Sequence, residues 1–190
     1  MKQSFQTSKL YYGFPVFILG YKDENFGYNV TTCSSSYSLG DQIVIGIVAN
    51  ENAAEQIPKF GEFTVNIPHK DGMVQAERAG FVTHREKLAR FHFEYSLSEK
   101  VDAPVLDCCP LILECKVNRV VEDDGICHIF ATIVGRLIEQ DLLDDKGNLD
   151  NQKLSPIYFM GDGHERVYRY LNEQVDPIGS FMKKVRKKDE

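Results

Sequence analysis

"LILECKVNRVVEDDGICHIFATIVGRLIE", residues 111–139, is the stretch on which the fold turns. Two runs of β-branched and aliphatic residues flank "EDDG" at 122–125, a turn-forming tetrad that ends in glycine. Strand formers, a short Asp/Gly turn and strand formers again predict a long antiparallel hairpin. In the first arm Leu113, Cys115 and Val117 fall on one face, with Glu114, Lys116 and Asn118 on the other. That alternation predicts one core face and one polar face. The second arm is apolar on both faces, Ile129 and Ile133 being opposed by Phe130 and Val134. Such a strand suits a barrel wall whose outside is covered by a further layer or a second subunit.

Outward from the hairpin, further short apolar runs bounded by turn residues read as strands: "FPVFILG" (14–20), "QIVIGIVA" (42–49), "GEFTVNIP" (61–68) and "PIYFM" (156–160). Helical signals are fewer. "NENAAEQIPKF" (50–60) opens on a capping-type Asn and meets Pro58, which should interrupt or end it. "DGMVQAERAG" (71–80) starts on Asp and stops on Gly. "THREKLARF" (83–91) carries Thr83 three residues before Glu86, a capping-box pattern. "GHERVYRYLNEQV" (163–175) places Val167, Tyr170 and Leu171 on one helical stripe. A mainly β chain with short helices inserted predicts a closed antiparallel barrel of Greek-key type, not a doubly wound sheet. No repeat, low-complexity tract or linker interrupts the 190 residues, so one domain over 1–190 is expected.

Composition narrows the function. Hydrophobic residues are 43% and charged ones 26%, a globular balance, and the net charge of −6 disfavours a nucleic-acid partner. The one basic cluster, "KKVRKK" at 183–188, reads as a solvated tail. No segment reaches the roughly 18 to 20 apolar residues of a membrane span. "MKQSFQTSKL" lacks the apolar core of a signal peptide, so a cytoplasmic protein is expected. The five cysteines, Cys33, Cys108, Cys109, Cys115 and Cys127, form no CxxC pair and no zinc spacing. They read as small buried hydrophobes, with the adjacent pair Cys108-Cys109 open to redox chemistry. Neither a metal site nor a catalytic motif is legible: GxGxxG after a strand, the P-loop, GxSxG and HExxH are all missing.

Two features carry candidate chemistry. Between Thr31 and Ser38 stand two threonines, four serines, Cys33 and Tyr37, directly before a buried strand. Small hydroxyls and backbone N–H groups let a planar or phosphorylated ligand approach closely, although such a run also suits a polar loop. The second is "THREKLARF". As a helix it would present free N–H groups with Arg85, Lys87 and Arg90 close by, a phosphate-binding combination. The same segment also reads as a surface helix in which Glu86 pairs with Arg90.

Taken in order, these segments resemble the flavin reductase-like family of FMN-binding split β-barrels, and its flavoredoxin-type branch in particular. The likeness runs from about residue 11 to 163, leaving 164–190 as a C-terminal helix and basic tail. It rests on "FPVFILG" followed by "NVTTCSSSYS", on "GEFTVNIP" with Gly61, Glu62, Phe63, Val65, Asn66 and Pro68 in place, on "THREKLARF", on "CPLILECKV" and on "GICHIF". The resemblance implies a homodimer that binds FMN, in preference to FAD, near the subunit boundary. Its cofactor-binding residues would be Asn29, Thr31, Thr32, Cys33, Ser34, Ser35, Ser36 and Tyr37, then Asn50, Asn52 and Ala53, then Thr83, Arg85, Lys87, Arg90 and Phe91. Arg85 and Arg90, with Lys87, would hold the phosphate. NADH or NADPH is the implied reductant, and an electron-accepting protein or a flavin-dependent oxygenase the implied partner. A flavoredoxin-like carrier without nicotinamide turnover, or a non-enzymatic flavin-binding module, are the alternatives. The sequence departs from the family pattern in Ser35 where an aromatic is common, in Ala53 beside Asn52 where a Thr is common, and in Thr83-His84 and Arg90 for Ser-Gly and Lys.

Overall fold

The protein is described by a computed structural model over residues 1–185; the basic residues 186–188, and every side chain from 183 onward, lie outside the described residues. The hairpin forms as its pattern predicts. Strand β9 (Leu111–Asp123) pairs antiparallel with β10 (Ile126–Ile138), Asp123 opposite Ile126. Glu122 and Asp123 extend the strand, so the turn is Asp124-Gly125 alone, with φ of 47° and 74°. Two positive φ values make the mirror-image turn whose twist matches that of the flanking strands.

Around the hairpin a seven-stranded sheet assembles in the order β3-β2-β6-β9-β10-β5-β4, every pair antiparallel. The remaining members are β2 (Phe17–Asp23), β3 (Gly27–Cys33), β4 (Ser36–Leu39), β5 (Gln42–Val48) and β6 (Glu62–Ile67). The two edge strands, β3 and β4, are separated in the chain only by Ser34 and Ser35. Three Cα steps span at most about 11 Å, so the two edges of the sheet lie side by side. The sheet is therefore curled into a barrel whose seam is bridged by those two serines. Its interior agrees: Phe17, Leu19 and Tyr21 of β2 share one core with Ile43, Ile45 and Ile47 of β5 and with Ile129 and Ala131 of β10.

Helix α1 (Asn52–Phe60) docks Ala53, Ala54 and Ile57 onto that core. Pro58 lies inside the helix, which runs on to Phe60 and stops at left-handed Gly61. The buried face holds the last turn together in spite of the bond that proline cannot donate. Outside the barrel, α2 (Met73–Gly80) and the loop bearing Leu88 and Phe93 pack on Ile18 and Val30, forming a second apolar layer. A short ribbon of β7 (Tyr95–Leu97) and β8 (Pro104–Leu106) completes this cover. A separate small sheet consists of β1 (Leu10–Pro15), β11 (Tyr158–Asp162) and β12 (Arg166–Arg169). Helix α3 (Ser180–Val185) follows.

Besides Pro58, four expectations are corrected. "FPVFILG" is not one strand: it divides at Val16, whose N–H donates to Ile157 O (2.7 Å), so that β1 joins β11 and β2 joins the barrel. Pro15 marks the break. Residues 83–91 are not a helix. Glu86, not Thr83, does the capping, its carboxylate accepting from the N–H of Ala89 (2.8 Å) and Arg90 (3.1 Å). Only one turn follows, ended by His92 in the left-handed region (φ 57°). Nor is 163–175 a helix: Arg166–Arg169 pair with β11, because a four-residue Arg-Val-Tyr-Arg alternation satisfies period 2 and a strand edge was waiting. Glu114, placed on the polar face by alternation, is 1% exposed beneath the ribbon, where Ser98 donates to it (2.5 Å).

Candidate functional site

The chain leaves space at the seam. A cleft of about 330 Å³ opens over Thr32, Cys33, Ser34 and Ser35 on one bank and Gly46, Ile47 and Val48 of β5 on the other. Gly46 N–H donates to Ser35 O (2.9 Å), which carries the β4–β5 pairing on into the bridging serines. Gly80 lets α2 pack close beneath Thr32: a Cβ added to the glycine would sit 3.3 Å from Thr32 Cβ. Facing it stands an aromatic wall from the small sheet, Tyr11 and Phe159 at 4.8 Å between centroids, with Tyr168 6.0 Å beyond Phe159. Glu51, Glu77, Phe81 and Arg166 complete the lining.

The side chains behind the cleft are spoken for. Thr32 Oγ1 donates to Ala76 O (2.5 Å). Burial, helped by the negative charge of Glu51, pushes the Cys33 thiol up to about 12, so at neutral pH it is a neutral group and no nucleophile. Asn29 is fully buried: its amide donates to Asp23 Oδ2 (3.2 Å) and to Arg85 O (2.9 Å), and its oxygen accepts from Val30 N–H (3.0 Å). Asn52 donates to the same Asp23 oxygen (2.6 Å) and to the Tyr21 hydroxyl (3.2 Å). Thr83 Oγ1 accepts from Asn52 N–H (3.1 Å) and His84 Nε2 contacts Asn50 O (3.1 Å). One network, buried at Asp23, Asn29 and Asn52 and exposed at Asn50 and His84, thus clamps the turn at 50–53 to the loop at 83–85, alongside the N-terminus of α1.

The residues named from sequence therefore fall into five groups. Thr32, Cys33, Ser34 and Ser35 line the cleft. Asn29, Asn50, Asn52, Ala53, Thr83 and Arg85 gather at the α1 junction, with Arg85 and Thr83 exposed and Asn29, Asn52 and Ala53 inside. Thr31 and Lys87 are buried together, while Ser36 and Tyr37 belong to edge strand β4. Arg90 projects outward over the Phe91 ring, 5.9 Å from its centroid. The chain pattern overlooked Tyr11, Glu51, Glu77, Phe159, Arg166 and Tyr168. The signal available for the last two was the alternation of Arg166 and Tyr168 with Val167 and Arg169.

Lys87 changes most from its sequence reading. It is 1% exposed, donating to Ala79 O (2.8 Å) and Thr31 Oγ1 (3.1 Å). Burial pulls its ammonium down to about 8, against the partial support of Glu51. The folded protein thus releases this proton from about pH 8, whereas the unfolded chain keeps it to about pH 10.4. In that window the unfolded state binds more protons, so this group makes stability rise with pH. Cys33 and Cys115, both raised to about 12 by burial, act oppositely once the unfolded thiols ionise near pH 8.5. The lysine contribution is isolated as the gap between wild type and Lys87→Met in urea unfolding. That gap should shift in favour of wild type by about 1 kcal/mol from pH 7 to pH 9. A gap that does not move with pH would show that Lys87 keeps its proton throughout.

A family model described as a flavin reductase like domain matches residues 10–160. The chain belongs to the flavin reductase-like family. Solved structures agree on its architecture. Flavoredoxin of Desulfovibrio vulgaris (Miyazaki F) overlays with a TM-score of 0.84 at 23% identity, covering 95% of this chain and 98% of that one. Flavoredoxin from Methanosarcina acetivorans overlays at 0.86 and 20% identity, covering 97% and 99%. An FMN-binding protein from Thermus thermophilus, solved with bound 1-cyclohex-2-enone, overlays at 0.76 and 16% identity, covering 93% and 99%. These likenesses carry the fold: this flavin reductase-like chain is an antiparallel split barrel with short helical insertions.

Proposed function

We propose that the chain is an FMN-binding flavoprotein and a flavin reductase that takes hydride from NADH or NADPH. The observation that carries this reading is the seam cleft, in which small hydroxyl and glycine residues face an aromatic wall. A planar heteroaromatic group fits between such surfaces, its polar edge toward Thr32, Cys33, Ser34 and Ser35. Arg166 lines the cleft without an ion pair among the described residues, a cation open to an anionic group. The N-terminus of α1, where Asn52 meets Thr83, with Arg85 exposed on the same clamped loop, supplies the donor-rich place for a phosphate. When bound, the isoalloxazine supplies the redox chemistry, so the chain needs no catalytic side chain of its own. Its residues bind, orient and shield.

The reading extends to one domain over 1–190, to a cytoplasmic homodimer, and to a protein acceptor or flavin-dependent oxygenase downstream. Exposed Tyr37 and Leu39 on edge strand β4, with Val48 and Val121 on the same outer face of the sheet, are the apolar surface a second copy would cover. The second reading, a flavoredoxin-like carrier reduced by a protein, is favoured by the overlap with flavoredoxins along nearly the whole chain.

Anaerobic absorption spectra separate the readings. FMN added to the protein should give a bound flavin band that NADH or NADPH bleaches. A band that stays oxidised would favour the carrier, and unbound FMN would overturn both. Arg85→Ala should weaken FMN binding by about 10- to 100-fold, the worth of one charge-assisted hydrogen bond. Its circular dichroism should not change, because the side chain is exposed. Equal affinity would remove Arg85 from the site.

A further inference from the structure

Cys108 and Cys109 belong to neither the cleft nor the α1 junction. They occupy the turn between β8 and β9, where Cys109 N–H donates to Leu106 O (3.1 Å) and Asp107 N–H to Glu94 O (3.1 Å). Their sulfurs are 3.8 Å apart. Cys109 is 3% exposed within the outer apolar layer, while Cys108 is partly open to solvent at its margin. Two adjacent thiols in contact, one reachable and one sheltered, form a chemical unit that neither hydride transfer nor flavin binding uses.

We propose that Cys108 and Cys109 are a peroxide-reactive dithiol that closes reversibly to a vicinal disulfide. Cys108, as thiolate, attacks one peroxide oxygen; an S–O bond forms, the O–O bond breaks, and the departing hydroxide takes a proton to become water. Cys109 then attacks the resulting sulfenic sulfur, forming the S–S bond and releasing the oxygen, with the thiol proton, as a second water. Two thiols lose two electrons, and one hydrogen peroxide becomes two waters.

The surroundings assign the two roles. Either thiol can donate in the sulfur contact; the more open Cys108 is the one it holds below its ordinary value, while the same contact and burial drive the Cys109 thiol upward. Asp107 and Glu139 oppose ionisation, Asp107 at Cys108 and Glu139 at Cys109, so the selectivity comes from the sulfur contact and from access. The remaining cysteines are poorer targets: burial raises Cys33 and Cys115 to about 12, and raises Cys127 too. Consecutive Cα atoms across a trans peptide are about 3.8 Å apart, below the roughly 4.4 to 6.8 Å that disulfides usually span. The ring is consequently strained and easily reduced, as a reversible device requires. A link to the cleft exists through Gly72: a Cβ there would lie 3.6 Å from Cys108 Sγ, and the helix that follows carries Glu77 and Gly80 into the cleft lining.

The test treats the full chain with equimolar hydrogen peroxide and reads intact mass, followed by peptide mapping. The expected product has lost two hydrogens, localised to the peptide containing 108 and 109, and regains them with dithiothreitol. Cys109→Ser should stop at a sulfenic acid on Cys108 that dimedone traps. Cys108→Ser should slow thiol loss by at least ~10-fold, with circular dichroism confirming that both variants are folded. Oxidation at Cys33, Cys115 or Cys127 at an equal rate, or dimedone labelling of Cys109 in Cys108→Ser, would overturn the assignment. So would a folded wild type that keeps both thiols.

Discussion

Gly20→Ala should cost roughly 3 to 5 kcal/mol, and Gly20→Val should leave no native barrel. Gly20 lies mid-way along β2, paired with Val30 on one side and Thr64 on the other. An added Cβ would meet Thr64 Oγ1 at 2.5 Å, Pro104 O at 2.6 Å and Pro104 Cγ at 2.9 Å. One of those atoms is backbone, so relief requires lifting β8 off the barrel. The intrusion would also part the buried bond from Thr64 Oγ1 to Pro104 O (2.5 Å). Overpacking of this kind costs about 1 to 3 kcal/mol and a broken buried hydrogen bond about as much again. Gly46→Ala is the control, because its Cβ would meet only ordinary contacts at 3.7 and 3.8 Å. Thermal and urea unfolding of the three proteins decides it. A Gly20→Ala protein melting within a few degrees of wild type would mean that β8 is not held where the structure places it.

Asp23→Leu should be almost as damaging and should also impair the site. The Asp23 carboxylate, 1% exposed, accepts from Asn29, Asn52 and the N–H groups of Asn25 and Phe26. Removing it strands two amides and two backbone donors at about 1 to 3 kcal/mol for each that finds no water, on the order of 4 kcal/mol together. The clamp then opens. Asn29 no longer fixes the Arg85 carbonyl and Asn52 no longer fixes the backbone that meets Thr83. Flavin affinity should fall at least ~10-fold, measured by FMN titration at a temperature where circular dichroism shows the variant folded. Asp23→Asn is the informative intermediate: it retains one acceptor but turns an amide N–H₂ or a crowded oxygen toward Asn52. A loss of stability under about 1 kcal/mol for Asp23→Leu would show that other contacts hold the two loops.

Much of this architecture is local chemistry and can be read along the chain. The β9–β10 hairpin follows from alternation and an Asp-Gly turn, β5 and β6 from short apolar runs with punctuation, and α2 from its Asp start and Gly stop. The segments misread were those whose outcome depends on distant partners. Residues 166–169 fit period 2 and period 3.6 equally, and the free edge of β11 settled the matter. Residues 83–91 carry helix-forming letters, yet burying Lys87 and Leu88 under α2 bent them into a single turn.

The same division runs through the site. The hydroxyl run at 31–38 is visible to any reader of the sequence, and so is its family likeness. That it bridges the seam between the first and last strands of a curled sheet is a property of closure, which no local pattern encodes. Asn29 and Asn52 are polar letters that could have faced a ligand. The fold turns them inward, where their amides satisfy the buried Asp23 carboxylate. Arg166, in a stretch that looked helical, reaches the cleft only because β12 pairs back across β11. Sequence by itself determined which residues make strands, turns and family; three-dimensional pairing decided which side chains meet, since a contact between distant segments has no period to betray it.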